Sequence, residues 1–468
     1  MLGTVTTYRR VIALTGPLLP LVSFLARLPV AMSQFGSFLL VAQTSGSLTT
    51  AGIVGGTLSL GQVLFGPVLG RLADRHGQRP VVLVAAAVNA VATAALVAGA
   101  LTHLATLPLA AIGAVTGASV PLIGPLARTR SVALARRAGA DEGVVGAVHA
   151  LEGTLDEVSF VFGPALVGLA ALIAHPALAL AGAAGLVAVF GGAFALHPTA
   201  SATAGSPARE RRAGSRVRPP AVVHAVRVSL ALQGVMFGAC QAGITALTIR
   251  LGVPDQAAVV YSAMGVVSAA VGLALGALPA RFGLRLRWQV ATGAALVLSA
   301  PLLVTDGLWP LYAVVTVLGA AYAPHLITAF ALTERAVELD RLATAMAFAA
   351  SSLVAGQAAA LVVAGRLAER YGPSAAFAVA VAAAGLCLTL ALATPVPAAR
   401  TSPAPPAEPG AGTAAEPAAE PGRRDEPDAG PDAEPGRRGE PDAGPAPQPG
   451  QDTGPGRRPA PDPAYAGR

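Results

Sequence analysis

From Val11 to Ala393 the chain is a succession of long apolar runs separated by short segments that carry arginine, glycine and proline. A helix needs roughly 20 apolar residues to cross a bilayer, so roughly 380 residues of this kind hold about a dozen crossings. Lipid offers no partner to a bare N–H or C=O, and each run must satisfy its backbone internally, as an α-helix. Twelve spans are predicted. Those of the first half cover 14–42, 50–70, 80–101, 105–127, 145–173 and 177–196. Those of the second cover 226–249, 257–278, 288–304, 309–332, 342–364 and 374–396. Arg9 and Arg10 precede the first run. That run is too long for a signal peptide and has no small-residue cleavage site, so it reads as an uncleaved helix.

Composition removes the soluble alternatives. The chain is 54% hydrophobic and 12% charged, with a mean hydropathy of +0.62, far from soluble averages. Alanine, glycine, valine and leucine dominate, and small residues let membrane helices approach closely. All 32 basic side chains are arginine. A pI near 10.2 would suit nucleic acid, but the arginines stand where topology wants them, and no nucleic-acid partner is expected. Cys240 and Cys387 both fall inside predicted spans, which argues against a disulfide framework.

Arginine placement sets the orientation. Arg9 and Arg10, then Arg71, Arg75 and Arg79, then Arg128, Arg130, Arg136 and Arg137 flank one side. The same side continues with Arg209 to Arg218, Arg281, Arg285 and Arg287, and Arg335 and Arg341. The other side has only Arg250, Arg366 and Arg370. The positive-inside rule places both termini in the cytoplasm of a multi-pass protein of the cell (plasma) membrane, with an even number of spans. Four parts follow: an N-terminal six-helix bundle (1–196), a basic cytoplasmic linker (197–222), a C-terminal six-helix bundle (223–396) and a cytoplasmic Pro/Gly/Arg/Glu-rich tail (397–468). The tail repeats EPGRR at Glu420 and Glu434 and has no apolar face to bury, so it is predicted to be disordered and dispensable. Residues 401–468 hold seven arginines against twelve acids, the wrong balance for a lipid anchor.

The two halves echo each other. GRLADRHGQRP, from Gly70 to Pro80, aligns with GALPARFGLRL, from Gly276 to Leu286, superposing Arg75 on Arg281, Gly77 on Gly283 and Arg79 on Arg285. Gly168 and Pro176 have the same spacing as Gly365 and Pro373. Two helical repeats joined by a linker are the logic of secondary transporters.

On these residues the sequence resembles the major facilitator superfamily (MFS). Gly70, Asp74, Arg75, Gly77 and Arg79 match that family's motif A, G-x-x-x-D-R-x-G-R-R, except that Gln78 replaces an arginine. The resemblance implies an all-α fold of twelve helices in two pseudo-symmetric bundles. It also implies that motif A latches the cytoplasmic gate, with Asp74 against the start of the eleventh span near Leu342 to Thr344. A carboxylate there meets the positive end of a helix dipole. Ala280 stands where the second copy would need the acid. Gly163 and Pro164 resemble the helix-bending glycine-proline motif of the family's antiporters. The fourth span has no arginine before Arg128, a departure from the family's proton-antiporter motif.

Ionisable residues inside spans are costly and mark pathways or partners. Arg27 in the first span and Glu152, Asp156 and Glu157 in the fifth stand out. Counted from the predicted span starts, Arg27 and Glu157 both lie roughly 18–20 Å deep, so Arg27 is expected to pair with Asp156 or Glu157. Three acids against one arginine leave a surplus carboxyl able to carry a proton. Gln233, Gln241, Tyr322, His325 and Gln357 are candidates for the substrate pathway through the second half. No catalytic motif, metal set or phosphate cradle is present in the sequence, so neither an enzyme nor a cofactor is expected. The reading is a monomeric secondary transporter moving a small molecule by alternating access, with export of an apolar or amphipathic compound favoured and protons as the candidate coupling ion. The alternatives are a nutrient importer or facilitator, and a non-transporting sensor or scaffold.

Overall fold

The computed structural model describes residues 2–203, 220–275, 283–337 and 339–395. Among the described residues there is helix throughout and no strand. The first half contains α1 (Leu2–Thr15), α2 (Leu18–Ser45), α3 (Leu48–His76), α4 (Gln78–Leu101), α5 (Thr106–Ala118), α6 (Ile123–Arg137), α7 (Glu142–Ile173), α8 (Pro176–Leu186) and the short α9 (Gly192–Leu196). The second contains α10 (Ala221–Arg250), α11 (Gln256–Leu275), α12 (Leu284–Ser299), α13 (Leu308–Ala336), α14 (Leu339–Tyr371) and α15 (Pro373–Ala393). Among the described residues, eleven stretches are long and apolar enough to cross a bilayer, and Gln256–Gly272 of α11 is a shorter apolar twelfth. The chain is a multi-pass membrane protein. Most of the linker's arginines, the second motif copy from Gly276 to Phe282 and the tail lie outside the described residues.

Local chemistry explains the breaks. Gly16 adopts φ +71° and Pro17 follows, so the first apolar run is not one helix from 14 to 42: α1 stops and α2 begins at Leu18. Ser47 caps α3 by accepting the Thr50 N–H, and Asp141 caps α7 by accepting that of Val144, each satisfying a donor the first helical turn leaves open. The fourth span does not end at 127. It breaks at Ser119–Leu122, around Pro121, and resumes as α6, which carries Arg128 and Arg130 as helical residues rather than loop residues.

Helices of each half pack mainly on their own half, through small residues. A Cβ on Gly117 would lie 1.8 Å from the Leu58 carbonyl oxygen, and one on Gly356 would lie 1.9 Å from that of Ala231. Two pairs make most of the contact between the halves, α3 with α14 and α7 with α11. The close approaches of both lie toward the end that holds Ser47. Gly52 faces the Leu361 carbonyl, Gly365 faces that of Leu48, and Gly168 meets Val259. These contacts seal that end.

Candidate functional site

Arg27 turns from α2 toward α6 and α7 and is buried. One terminal nitrogen, Nη2, bonds Glu152 Oε2 and lies 3.5 Å from the Gly124 carbonyl. Nη1 lies 3.5 Å from the Glu152 carbonyl, and Nε is 3.2 Å from Asp156 Oδ1. Arg128 Nη2 donates to Asp156 Oδ2 at 3.1 Å, and Ser131 Oγ donates to Glu152 Oε1 at 2.9 Å. The spacing makes this possible. Glu152 and Asp156 are four apart and share a face of α7, and Arg128 and Ser131 are three apart on α6, the antiparallel neighbour.

Arg27 therefore reaches Glu152 and Asp156, and Glu157 is not in the network. The sequence-based depth ran from 14 and 145, whereas the helices start at Leu18 and Glu142. From those starts Arg27 and Glu152 stand about 14 and 15 Å along their helices, at one level. Arg128 is the second cation, expected only as a topological marker. Two arginines thus balance Glu152 and Asp156. Gly124 is part of the arrangement too: a Cβ there would sit 2.7 Å from Asp156 Oδ1 and 3.4 Å from Arg27 Nε. Its lack of a side chain leaves room for the carboxylate, which nothing in the sequence pattern announces.

Glu157, one residue on and about 100° round the helix, lines a different space. A cavity of about 210 Å³ lies between the halves, walled by α2, α7, α10, α11, α13 and α14. Five aromatics shape it: Phe35, Phe160, Phe237, Tyr261 and Tyr322. Phe237 stacks on Tyr322 with centroids 4.5 Å apart, and Phe35 leans on Tyr261 at 4.8 Å. Gln34, Gln241 and Gln357 add amides, and Glu157 is the one ionisable group besides the tyrosines. Gln34 Nε2 donates to Gln62 Oε1 at 2.9 Å, and Gln241 Nε2 donates to the Gln34 carbonyl at 3.3 Å, across the halves. On α7 and α14 the cavity residues precede the sealing contacts in chain order, so the cavity sits on the Asp74 side of the seal. Phe35, Phe160, Phe237 and Tyr261 were missed from sequence. Mid-span aromatics in a chain only 4% aromatic were the available signal.

Of the predicted pathway residues, Gln241, Tyr322 and Gln357 line the cavity. Gln233 and His325 do not. Gln233 Nε2 donates to the Tyr322 carbonyl at 2.9 Å, behind the cavity wall. His325 Nε2 is 2.7 Å from Ser229 Oγ in a buried cluster with Trp288 and Cys387.

Residues 19–349 match the family model of the Major Facilitator Superfamily. The chain belongs to that superfamily of transporters. Among solved structures it is similar to the nucleoside transporter NupG, with TM-score 0.60 and 18% identity, covering 80% of this chain and 96% of that one. A bacterial homologue of the iron transporter ferroportin in an inward-facing state gives TM-score 0.59 and 16% identity, covering 82% and 98%. The E. coli xylose transporter XylE in an inward-open conformation gives 0.54 and 13%, covering 79% and 95%. These likenesses concern the fold. No curated protein sequence matches.

The superfamily's motif A occupies the end of α3 and the turn into α4. Gly77 has φ +84°, which suits glycine alone. Asp74 and Arg75 are exposed, and among the described residues Asp74 makes no hydrogen bond or ion pair. Arg79 donates to the Leu196 carbonyl at 3.2 Å. Gln78, at the position where the motif has arginine, is buried; its Oε1 accepts from Arg130 Nε at 2.6 Å, and its Nε2 donates to Thr129. Arg130 also donates to the Phe194 carbonyl and lies 3.8 Å above the Phe194 ring. An arginine from α6 thus occupies the site beside Gln78. Gly70 faces Leu122. Helix α7 runs unbroken through Gly163 and Pro164. Gly163 is a contact point, where a Cβ would stand 2.4 Å from that of Ala31, and Pro164 lines the cavity.

Proposed function

We propose that this protein is a secondary transporter that exports an amphipathic small molecule across the plasma membrane by alternating access, with protons as the coupling ion and Glu157 as the proton carrier. The observation that carries this reading is the charge balance: Arg27 and Arg128 serve Glu152 and Asp156, and Glu157 alone faces the cavity. A carboxyl in a space of low polarity binds a proton or a cationic group but not both, which couples one to the other. The aromatic walls support an amphipathic ligand, since stacked rings contribute roughly 0.5–1.5 kcal/mol each beyond area burial. Under the positive-inside rule the Asp74 end is cytoplasmic, both termini lie inside, and the cavity opens inward. The halves that rock are then 1–196 and 223–396, joined by the cytoplasmic segment 197–222.

A second reading is import of a polar metabolite. Gln34, Gln241 and Gln357 in the cavity wall favour it, because amides recognise hydroxyl and base edges. Transport of a compound found by metabolite screening of a deletion strain, measured in proteoliposomes with and without a pH gradient, separates the two. Glu157→Gln is expected to abolish gradient-driven accumulation while counterflow exchange continues. Undiminished gradient-driven transport in that variant would sink the coupling role.

A further inference from the structure

The octapeptide that ends α3, Gly-Arg-Leu-Ala-Asp-Arg-His-Gly from Gly70 to Gly77, returns at the end of α14 as Gly-Arg-Leu-Ala-Glu-Arg-Tyr-Gly, from Gly365 to Gly372. Six of eight positions are identical and the fifth keeps a carboxylate. The backbone repeats as well. Gly77 has φ +84° and ψ 154°, Gly372 has φ +88° and ψ 174°, and each leads straight into the next helix, α4 or α15. This copy is closer than the one at Gly276, and it lies at the opposite end of the bundle.

Helices α3 and α14 run antiparallel across the junction of the halves: Leu48 meets Gly365, Gly52 meets Leu361 and Gly56 meets Ala358. The C-terminus of each helix is therefore aimed at the N-terminus of the other. At the sealed end this is realised. Glu369 Oε2 accepts from Ser47 Oγ at 2.9 Å and from the Thr49 N–H at 2.5 Å, placing a carboxylate of the second half on the first turn of a helix of the first half. The same register, carried to the other end, would bring Asp74 to the first turn of α14, which starts at Leu339, when that end closes.

We propose that Glu369 is a gate latch reciprocal to Asp74. The two octapeptides hold the same pair of helices at opposite membrane faces and engage in alternation. In the state described here the Ser47 end is closed with Glu369 engaged, and Asp74 is free among the described residues. Rocking the halves breaks one carboxylate–helix contact and makes a like one, so neither gate state is strongly preferred. The proposal rests on alternating access, but its geometry does not depend on which compound is carried.

Spin-label pairs on the purified full-length protein test it without substrate. Ser45 with Ser374 reports the Ser47 end, and Arg137 with Arg285 reports the other; all four positions are exposed. Glu369→Gln should raise the population open at Ser45–Ser374 about twofold to fivefold, the change expected for one charge at an exposed helix N-terminus. Asp74→Asn should shift the balance the opposite way, and the double variant should return close to the starting ratio. Should Glu369→Gln not accumulate, Glu369→Asp, which withdraws the carboxylate by one methylene, must shift in the same sense by less. An unchanged distance distribution, or a shift in the same direction as Asp74→Asn, overturns the proposal. Altered transport with unaltered distances would overturn the latch and leave the transport reading standing.

Discussion

Arg27 in the first span and Ser229 in the seventh are each the hub of a buried polar network, and each belongs to the opening transmembrane helix of its half. Around Arg27 the side chains are ion-pair partners: Glu152, Asp156 and, through Asp156, Arg128. Around Ser229 the partners are an imidazole, an indole and a thiol, with neither a carboxylate nor an arginine among them. His325 Nε2 lies 2.7 Å from its hydroxyl, Trp288 Nε1 donates to it at 3.1 Å, and Cys387 Sγ reaches its carbonyl at 3.4 Å. A neutral network loses about one hydrogen bond when a member is removed, whereas a buried charge deprived of its partner has nothing to replace it. Two halves with one architecture have thus divided the work. The first half holds the buried charges and contributes Glu157 to the cavity, and the second half contributes amides and three of the five cavity aromatics but no charge to that wall.

The most severe way to break that asymmetry is Arg27→Ala. It leaves Glu152 and Asp156 short of a cation in a medium that cannot solvate them, at a cost of roughly 3–5 kcal/mol. Adding Glu152→Gln should restore part of the lost thermal stability in detergent. Adding Glu157→Gln should not, because Glu157 lies outside the network. Strictly additive effects for Arg27 with Glu152 would show that the pair is not coupled.

A smaller loss is expected on the neutral side. His325→Leu removes one bond to Ser229, which keeps that of Trp288, so about 1–2 kcal/mol of stability should go. The pH profile of transport should keep its shape. A displaced profile would place His325 in the coupling machinery and undo the division between the halves.

Much of this was legible in the sequence, and the misses have physical causes. Span number follows from the apolar runs, which lipid enforces strictly, the internal echo from glycine and arginine spacing, and motif A from resemblance to the superfamily. That Arg27 meets fifth-span acids followed from depth matching, but which acids depended on helix starts that Gly16 and the true cap at Asp141 set a few residues away from the apolar boundaries. Arg128 was missed because a break at Pro121 does not end the fourth span, and charge alone looked like loop. Gly124 and the cavity aromatics carry no periodic signal, since they are defined by what other helices bring near them. The octapeptide at Gly365 was legible from the start. A repeat of the halves helix by helix pairs Gly70 with Gly276, and the octapeptide at Gly365 stands outside that pairing.

The mildest effect is expected where charge is exposed. Arg10 and Asp141 lie 3.3 Å apart, but their side chains are 56% and 65% exposed, so water screens the pair and little stability hangs on it. Asp141 also caps α7. The Val144 N–H, and behind it Arg10, holds its carboxyl below the ordinary carboxylate range. A depressed value means the folded form keeps the charge at pH values where the unfolded chain has taken up a proton. The stabilisation is therefore complete above the unfolded value of about 3.9 and is lost as the pH falls through the folded one. Asp141→Asn keeps a capping oxygen and removes only the charge. It should lower the thermal midpoint slightly at neutral pH and low salt, with the gap to the parent closing as the pH falls below about 4, or at neutral pH as salt rises to about 1 M, where screening acts within about 3 Å. Arg27→Ala should change far less with salt, because Arg27 and Glu152 are buried and Asp156 is 34% exposed. If Asp141→Asn were equally indifferent to salt, exposure would not be what separates the two ion pairs, and the case for a special buried network in the first half would rest on geometry alone.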